Sequence, residues 1–128
     1  MEYLLLIYGN PAEAPAEAQS QEAMQKWFSY TQELEASGAL KGGNALQFPD
    51  TATTVRVRND ETLLTDGPFA ETKELLGGFY LINARDLDEA IELAAKIPAA
   101  REGSIEVRPI WDTLSGAATE PQAATATA

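Results

Sequence analysis

The chain has 128 residues, with nine basic and twenty acidic side chains, a net charge of −11, and neither cysteine nor histidine. This composition excludes disulfides, histidine-dependent triads and zinc sites built from histidine or cysteine. The acidity disfavours binding to nucleic acid or to an anionic membrane, because phosphate contacts need a basic surface. No apolar run approaches the roughly 18 residues of a membrane span. We therefore expect a cytoplasmic protein without a metal or cofactor.

The first half of the chain predicts a strand, a helix and a second strand. An apolar run at 3–8 indicates a buried strand, and the Ala-, Glu- and Pro-rich stretch 11–19 indicates a loop. Ser20 is a suitable N-cap and Gly38 a suitable C-cap for the helix between them. A strand at 39–48 follows.

Helical spacing defines one apolar face of this helix. Its predicted members are Met24, Trp27, Phe28, Thr31 and Leu34. Tyr30 falls outside this stripe, so we expect it to be a comparatively free side chain.

The second half begins with a predicted hairpin. Residues 53–58 alternate with period two, Asn59-Asp60 is a turn sequence, and 61–65 forms the returning strand. A strand at 77–84 follows.

The chain then predicts one more helix and one more strand. Asp86 can cap a helix that ends before Pro98. Residues 104–110 form the last strand, and Pro109 favours a sheet edge or the end of that strand.

The order β-α-β, hairpin, β-α-β predicts an α+β fold of the ferredoxin-like, split βαβ type with an inserted hairpin. Both helices would cover one face of the sheet. The other face needs a cover as well, since large apolar surfaces rarely stay exposed, and a two-fold homodimer supplies one. We expect the domain to span residues 1–112 and a flexible Ala/Thr-rich tail to span 113–128.

Segment 66–74, Asp-Gly-Pro-Phe-Ala-Glu-Thr-Lys-Glu, places carboxylates, an aromatic ring and an ammonium around a Gly-Pro turn. It resembles the DGPF signature of the YCII-related (YciI-like) family, and the similarity extends from Tyr3 to Trp111. The resemblance implies a ferredoxin-like domain that pairs into a dimeric α/β barrel, and a bacterial origin. It also implies a genomic association with extracytoplasmic-function sigma factors.

Some YciI-like proteins are thought to use a histidine and an aspartate as a general acid/base pair. The position of that histidine falls on Trp27 here, and an indole cannot shuttle protons. The histidine–aspartate mechanism is therefore not carried over.

Asp66 is the candidate catalytic residue. An aspartate before a turn usually bonds the backbone N–H two residues later, but Pro68 has none. The carboxylate therefore either caps another group, such as the Phe69 N–H, or acts as an acid or base in a pocket.

The other candidates would bind substrate. Glu71 and Lys73 are either a solvated pair or groups that orient a ligand, and Phe69 is either a core anchor of the turn or a stacking ring. Arg56 and Arg58 either hold a small anionic ligand or form surface ion pairs. Tyr8, Trp27 and Tyr30 could line an aromatic pocket, although Tyr8 and Trp27 suit a core or dimer interface equally well.

Three functions remain open from the sequence. The first is a small-molecule-binding protein, or a lyase- or isomerase-like enzyme that uses Asp66 in a cleft of a homodimer. The second is a non-catalytic accessory protein that binds a sigma factor, and the third is a structural dimer whose DGPF segment only stabilises the fold.

Overall fold

In the part of the chain that the structure describes, two α-helices pack on a four-stranded antiparallel sheet, and a separate two-stranded hairpin completes the α+β fold. The computed structural model describes residues 1–10, 20–69 and 73–111. The predicted loop at 11–19, Glu71 and the tail at 113–128 lie outside these residues.

The strands and helices alternate much as the sequence predicts. The strands are β1 (Glu2–Gly9), β2 (Leu40–Ala45), β3 (Thr53–Arg58), β4 (Glu61–Asp66), β5 (Leu75–Asn83) and β6 (Ser104–Pro109). The helices are α1 (Gln21–Ser37) and α2 (Leu87–Ala95). The larger sheet has the order β2-β5-β1-β6, so β6 is an edge strand, as its Pro109 predicted.

Both helices begin at the predicted caps. The Ser20 hydroxyl accepts a 3.1 Å hydrogen bond from the Ala23 N–H, and the Asp86 carboxylate accepts a 2.9 Å bond from the Glu89 N–H. Gly38 ends α1 in the left-handed conformation, with φ of 81°, which glycine adopts without steric cost. Capping side chains thus fix where α1 and α2 begin, and the backbone conformation of Gly38 fixes where α1 ends.

The core lies between the helices and one face of the sheet. Its buried members are Tyr3, Leu5, Ile7, Tyr30, Leu34, Ile82, Ala84, Ala90, Ala94 and Ile97. Because side chains alternate along a strand, the inward Tyr3, Leu5 and Ile7 leave Leu4, Leu6 and Tyr8 on the opposite face.

The apolar face predicted for α1 was partly wrong. Tyr30 is buried, at 5% exposure, whereas Met24 and Phe28 are each 65% exposed. The face that meets the sheet comprises Trp27, Tyr30, Thr31 and Leu34, which also have helical spacing. The composition of α1 allows either stripe, and its packing against the sheet selects this one.

The hairpin β3–β4 has the predicted turn and forms its own sheet. Asn59 and Asp60 both have positive φ, 51° and 64°, as in the tight turns that join two antiparallel strands. Within the described residues, these two strands pair only with each other. We refer to residues 53–66 as the hairpin arm.

Candidate functional site

The helix-free face of the four-stranded sheet is apolar along its centre. Leu4 lies opposite Leu81, and Leu6 lies opposite Phe79 on the neighbouring strand. All four side chains are half-buried. This face therefore presents a hydrophobic floor that the helices do not cover.

Polar side chains meet at one end of this floor. The Tyr8 hydroxyl donates a 3.1 Å hydrogen bond to Oε1 of Glu106 on β6. Ser104 lies opposite Tyr8 in the strand register, and its hydroxyl lies 2.8 Å and 3.0 Å from the two carboxylate oxygens of Glu74. We call Tyr8, Glu74, Ser104 and Glu106 the Tyr8 cluster.

The surroundings of Tyr8 keep its phenol protonated. Burial raises the pKa of Tyr8 above its ordinary value of 10.0, and the hydrogen bond and negative charge of Glu106 raise it further. The positive charge of Arg108, on the same face of β6, opposes these effects on the pKa. At neutral pH, Tyr8 is therefore a hydrogen-bond donor beside a carboxylate and a guanidinium.

Gly103 allows β6 to begin close to Tyr8. A Cβ atom on Gly103 would collide with the carbonyl oxygen of Tyr8. The absence of that atom lets the backbone at the start of β6 approach the end of β1, so that Ser104 and Glu106 share a face with Tyr8.

Trp27 and Tyr8 do not line one pocket. Trp27 stacks on Tyr80, with ring centroids 6.5 Å apart and planes inclined by 21°. Tyr80 lies opposite Leu5, on the face of the sheet that the helices cover. Because Tyr8 lies on the other face, the predicted aromatic pocket with Tyr8 and Trp27 as its walls was wrong.

Tyr30 links the two helices rather than standing free. Its hydroxyl donates a 2.7 Å hydrogen bond to the carbonyl oxygen of Leu93, and its ring meets Tyr80 edge-on at 5.5 Å. Burial raises its pKa well above the ordinary range. The surface depression beside it, of about 190 Å³, is lined by Tyr30, Glu33, Leu34, Ser37, Leu93 and Lys96 and includes no other predicted site residue.

Asp66 ends β4 with its side chain exposed. Within the described residues its carboxylate makes no hydrogen bond, so it does not cap the Phe69 N–H. Gly67 holds the turn instead: its N–H donates a 2.7 Å bond to Ala52, and its carbonyl accepts a 2.9 Å bond from the Thr54 hydroxyl. The role of Asp66 as an acid or base stays a prediction.

Phe69 is not the core anchor that the sequence suggested. Its side chain is 78% exposed, because the hairpin arm forms a separate sheet and offers the ring no core to enter. The Arg56 guanidinium lies over the ring, 5.3 Å from its centroid. This contact pairs two of the predicted ligand-binding residues.

Among the residues that the structure describes, Arg56 and Arg58 do not form the surface ion pairs that the sequence allowed as one of two alternatives. In the described part of the chain, the one ion pair joins Arg85 to Glu89, at 2.7 Å. Arg58 donates a hydrogen bond to the carbonyl of Val57, and the Lys73 side chain is exposed. The basic groups near the DGPF segment thus lack carboxylate partners among the described residues.

The described residues include no group of three or more acidic side chains arranged to hold a metal ion. Over the same residues, no helix is long and apolar enough to cross a membrane.

The sequence did not single out Ser104, Glu106 and Arg108. Their alternation marks them as one face of a strand, but only the pairing of β6 with β1 places them beside Tyr8. Glu74 is the last residue of the DGPF segment, and its contact with Ser104 places one end of that segment at the Tyr8 cluster.

The sequence also matches the model of a known protein family. The YCII-related domain matches residues 1–114, and the chain belongs to this family.

One protein is similar in sequence, and one solved structure is similar in fold. An uncharacterised protein of Rhizobium meliloti (strain 1021) is 39% identical over 114 residues, which cover 86% of this chain and 92% of the relative. The solved structure of 5-chloro-2-hydroxyhydroquinone dehydrochlorinase (TftG) from Burkholderia phenoliruptrix AC1100, in complex with 2,5-dihydroxybenzoquinone, has a similar fold. Its TM-score is 0.50 at 16% identity, and the match covers 86% of this chain and 93% of that one.

Proposed function

We propose that this protein binds a small molecule at the Tyr8 cluster. The observation that carries the proposal is the hydrogen bond between Tyr8 and Glu106 at the edge of a half-buried apolar floor. A ligand on this face would meet apolar side chains below and a donor, a carboxylate and a cation at one end, which is the usual composition of a small-molecule site.

The ligand class that suits this end of the sheet is a small molecule with an anionic or hydroxylated group. When a ligand binds, the neutral Tyr8 phenol would turn its one proton from Glu106 to such a group, and Arg108 would balance the negative charge of that group. An apolar or aromatic body would rest on Leu6 and Phe79. The dihydroxybenzoquinone bound by the dehydrochlorinase has this chemistry, so it is a suitable first probe.

The architecture that we propose is a ferredoxin-like domain of the DGPF branch that forms a dimeric α/β barrel. The strand order, with β1 and β5 in the centre, supports this plan because it is the order of a split βαβ unit. A second copy on the helix-free face would exclude water from the apolar floor and turn it into a cleft. We place this homodimer in the cytoplasm, in keeping with a chain that lacks cysteine.

Lyase- or isomerase-type chemistry would need an acid or base that reaches the bound ligand. We propose Asp66 for this role, since its carboxylate is not engaged by hydrogen bonds among the described residues. Glu71, Lys73 and Arg56 would then help to orient an anionic substrate.

Calorimetric titration with 2,5-dihydroxybenzoquinone tests the site. We expect Tyr8→Phe and Arg108→Gln each to weaken binding by roughly tenfold, the effect of losing one hydrogen bond or one charge contact to a polar ligand. Tyr3→Phe is the matched control, because the hydrogen bond of the Tyr3 hydroxyl among the described residues goes to the Met1 sulfur, on the helix-covered side of the sheet. Equal affinity in all variants would place binding elsewhere, and no binding to the wild type would exclude this ligand class.

The second candidate is an accessory protein that binds an extracytoplasmic-function sigma factor. The exposed apolar side chains of the hairpin arm favour a protein partner of some kind. Co-purification with an extracytoplasmic-function sigma factor from the same genome tests this candidate, and no association at micromolar concentrations would count against it.

A further inference from the structure

The Tyr8 cluster has more hydrogen-bond acceptors than donors. The Ser104 hydroxyl lies 2.8 Å and 3.0 Å from the two carboxylate oxygens of Glu74, so its one proton is directed to that carboxylate. The Tyr8 proton goes to Oε1 of Glu106. Two carboxylates and a hydroxyl oxygen thus stand beside one phenolic proton and, further along β6, the Arg108 guanidinium. A ligand that fits this cluster has to bring donors of its own.

Glu106 is the carboxylate of the cluster that lies beside the hydrophobic floor. It is directly opposite Leu6 in the pairing of β6 with β1, and Arg108, two residues further along the strand, shares its face. Among the described residues, the hydrogen bond that Glu106 accepts comes from Tyr8. A ligand whose body rests on Leu6 therefore lies next to the Glu106 carboxylate.

Binding at Tyr8 would take this hydrogen bond away from Glu106. A phenol has one proton, so Tyr8 cannot donate to a ligand and to Glu106 at the same time. A ligand body on Leu6 would also displace water from the same side of the carboxylate. Because an ionised oxygen that loses its partners without replacement strongly disfavours binding, the ligand has to supply a new donor to Glu106.

We infer that the ligand of the Tyr8 cluster carries a hydrogen-bond donor on the carbon next to its acceptor group, and that Glu106 selects for this donor. The inference rests on the proposed function and deepens it, because it names the ligand class: a carboxylate or similar acceptor with a hydroxyl or ammonium group on the adjacent carbon. The Tyr8 oxygen and Oε1 of Glu106 are 3.1 Å apart. Groups on neighbouring carbon atoms can reach two oxygens at this separation.

The charges around Tyr8 indicate which of the two donors suits the site better. Glu74 and Glu106 supply two carboxylates against the one guanidinium of Arg108, in a chain of net charge −11. An additional negative charge without a positive partner is therefore disfavoured. An α-amino acid, whose ammonium group offsets its own carboxylate, is better matched to this surface than an α-hydroxy acid.

Calorimetric titration with phenylacetate, mandelate and phenylglycine tests the inference. The three ligands share a phenyl ring and a carboxylate, and differ in whether the adjacent carbon carries only hydrogen, a hydroxyl or an ammonium group. We expect the wild type to bind mandelate and phenylglycine at least roughly tenfold more tightly than phenylacetate, the effect of one added hydrogen bond to a charged acceptor. The tighter of the two identifies the donor that the site takes.

Three variants separate the role of Glu106 from that of Tyr8. Glu106→Gln keeps the size of the side chain but removes its charge, and its amide can donate to a carboxylate, so the preference should fall below about threefold. Glu92→Gln is the matched control, since it removes the same charge from an exposed position on α2 and should keep the preference. Tyr8→Phe should weaken all three ligands by a similar factor. Circular dichroism would establish that each variant is folded.

The outcomes distinguish the inference from the proposed function. Equal affinity of the wild type for the three ligands, with Tyr8→Phe weakening each, would overturn the selection by Glu106 and leave the site in place. A preference that persists in Glu106→Gln would do the same, as would binding of 2,5-dihydroxybenzoquinone without binding of any of the three. Affinities that no variant of the cluster alters, or no binding of any ligand, would overturn both.

Discussion

Trp27 stacks on Tyr80, and this contact fixes the first helix on the sheet. The Tyr80 hydroxyl also lies 2.7 Å from the Thr31 hydroxyl, one turn further along α1. The indole thus takes part in helix–sheet packing on the face opposite the Tyr8 cluster.

We predict that Trp27→Ala destabilises the fold by about 2 kcal/mol, because it removes a half-buried ring and the stacking of that ring on Tyr80. Chemical denaturation measures the free energy of unfolding. Phe28→Ala, at the adjacent but 65% exposed position, should change that free energy by less than about 0.5 kcal/mol. Equal losses in the two variants would show that the stacking contributes nothing specific.

Asp66→Ala should leave the melting temperature unchanged, because the carboxylate is exposed and does not cap a described backbone group. Asp86→Ala should cost about 1 kcal/mol, since Asp86 caps α2 through the Glu89 N–H. For a domain of this size, that cost lowers the melting temperature by roughly 4 °C. A drop of this size in Asp66→Ala would support the structural function for the DGPF segment instead.

Gly103→Ala should destabilise the fold by about 1–3 kcal/mol, because the added methyl group meets the carbonyl oxygen of Tyr8 and the backbone must move. Gly9→Ala is the control, since a Cβ there meets nothing within 4 Å. The Gly103 variant should also weaken the hydrogen bond between Tyr8 and Glu106. Unchanged stability would mean that β6 can shift without cost.

Alkaline pH should destabilise the protein partly through Tyr30. Its pKa is raised in the folded state, so its contribution to stability is complete below its unfolded value of 10.0 and is lost as the pH rises through the folded value. In denaturation curves above pH 10, Tyr30→Phe should therefore lose stability less steeply than the wild type. Parallel curves for the two proteins would contradict this assignment.

Local chemistry made much of the fold predictable. Ser20, Gly38 and Asp86 marked helix ends because capping depends on neighbours a few residues away. Asn59-Asp60 marked the hairpin for the same reason, since few residues tolerate two successive left-handed conformations.

The candidate site was less predictable because its contacts join distant parts of the chain. Tyr8 and Glu106 are 98 positions apart, and no spacing rule connects them before the strands are paired. The prediction that Tyr30 is a comparatively free side chain was wrong because two faces of α1 are comparably apolar. The packing of the helix on the sheet decides which of the two faces is buried. The prediction that Phe69 anchors the turn in the core was wrong because the sequence around it gives no sign that the arm forms a sheet apart from the core.

The position of β1 bears on how the molecule folds. This strand precedes the other described strands, but its partners in the sheet are β5 and β6, which follow more than sixty residues later. Until they emerge during synthesis, the apolar strand Glu2–Gly9 has neither neighbour, and closing loops of this length slows folding. We therefore expect sheet formation to be a late event that depends on β6, the last of the described strands, so that removing β6 would leave an incomplete and aggregation-prone chain.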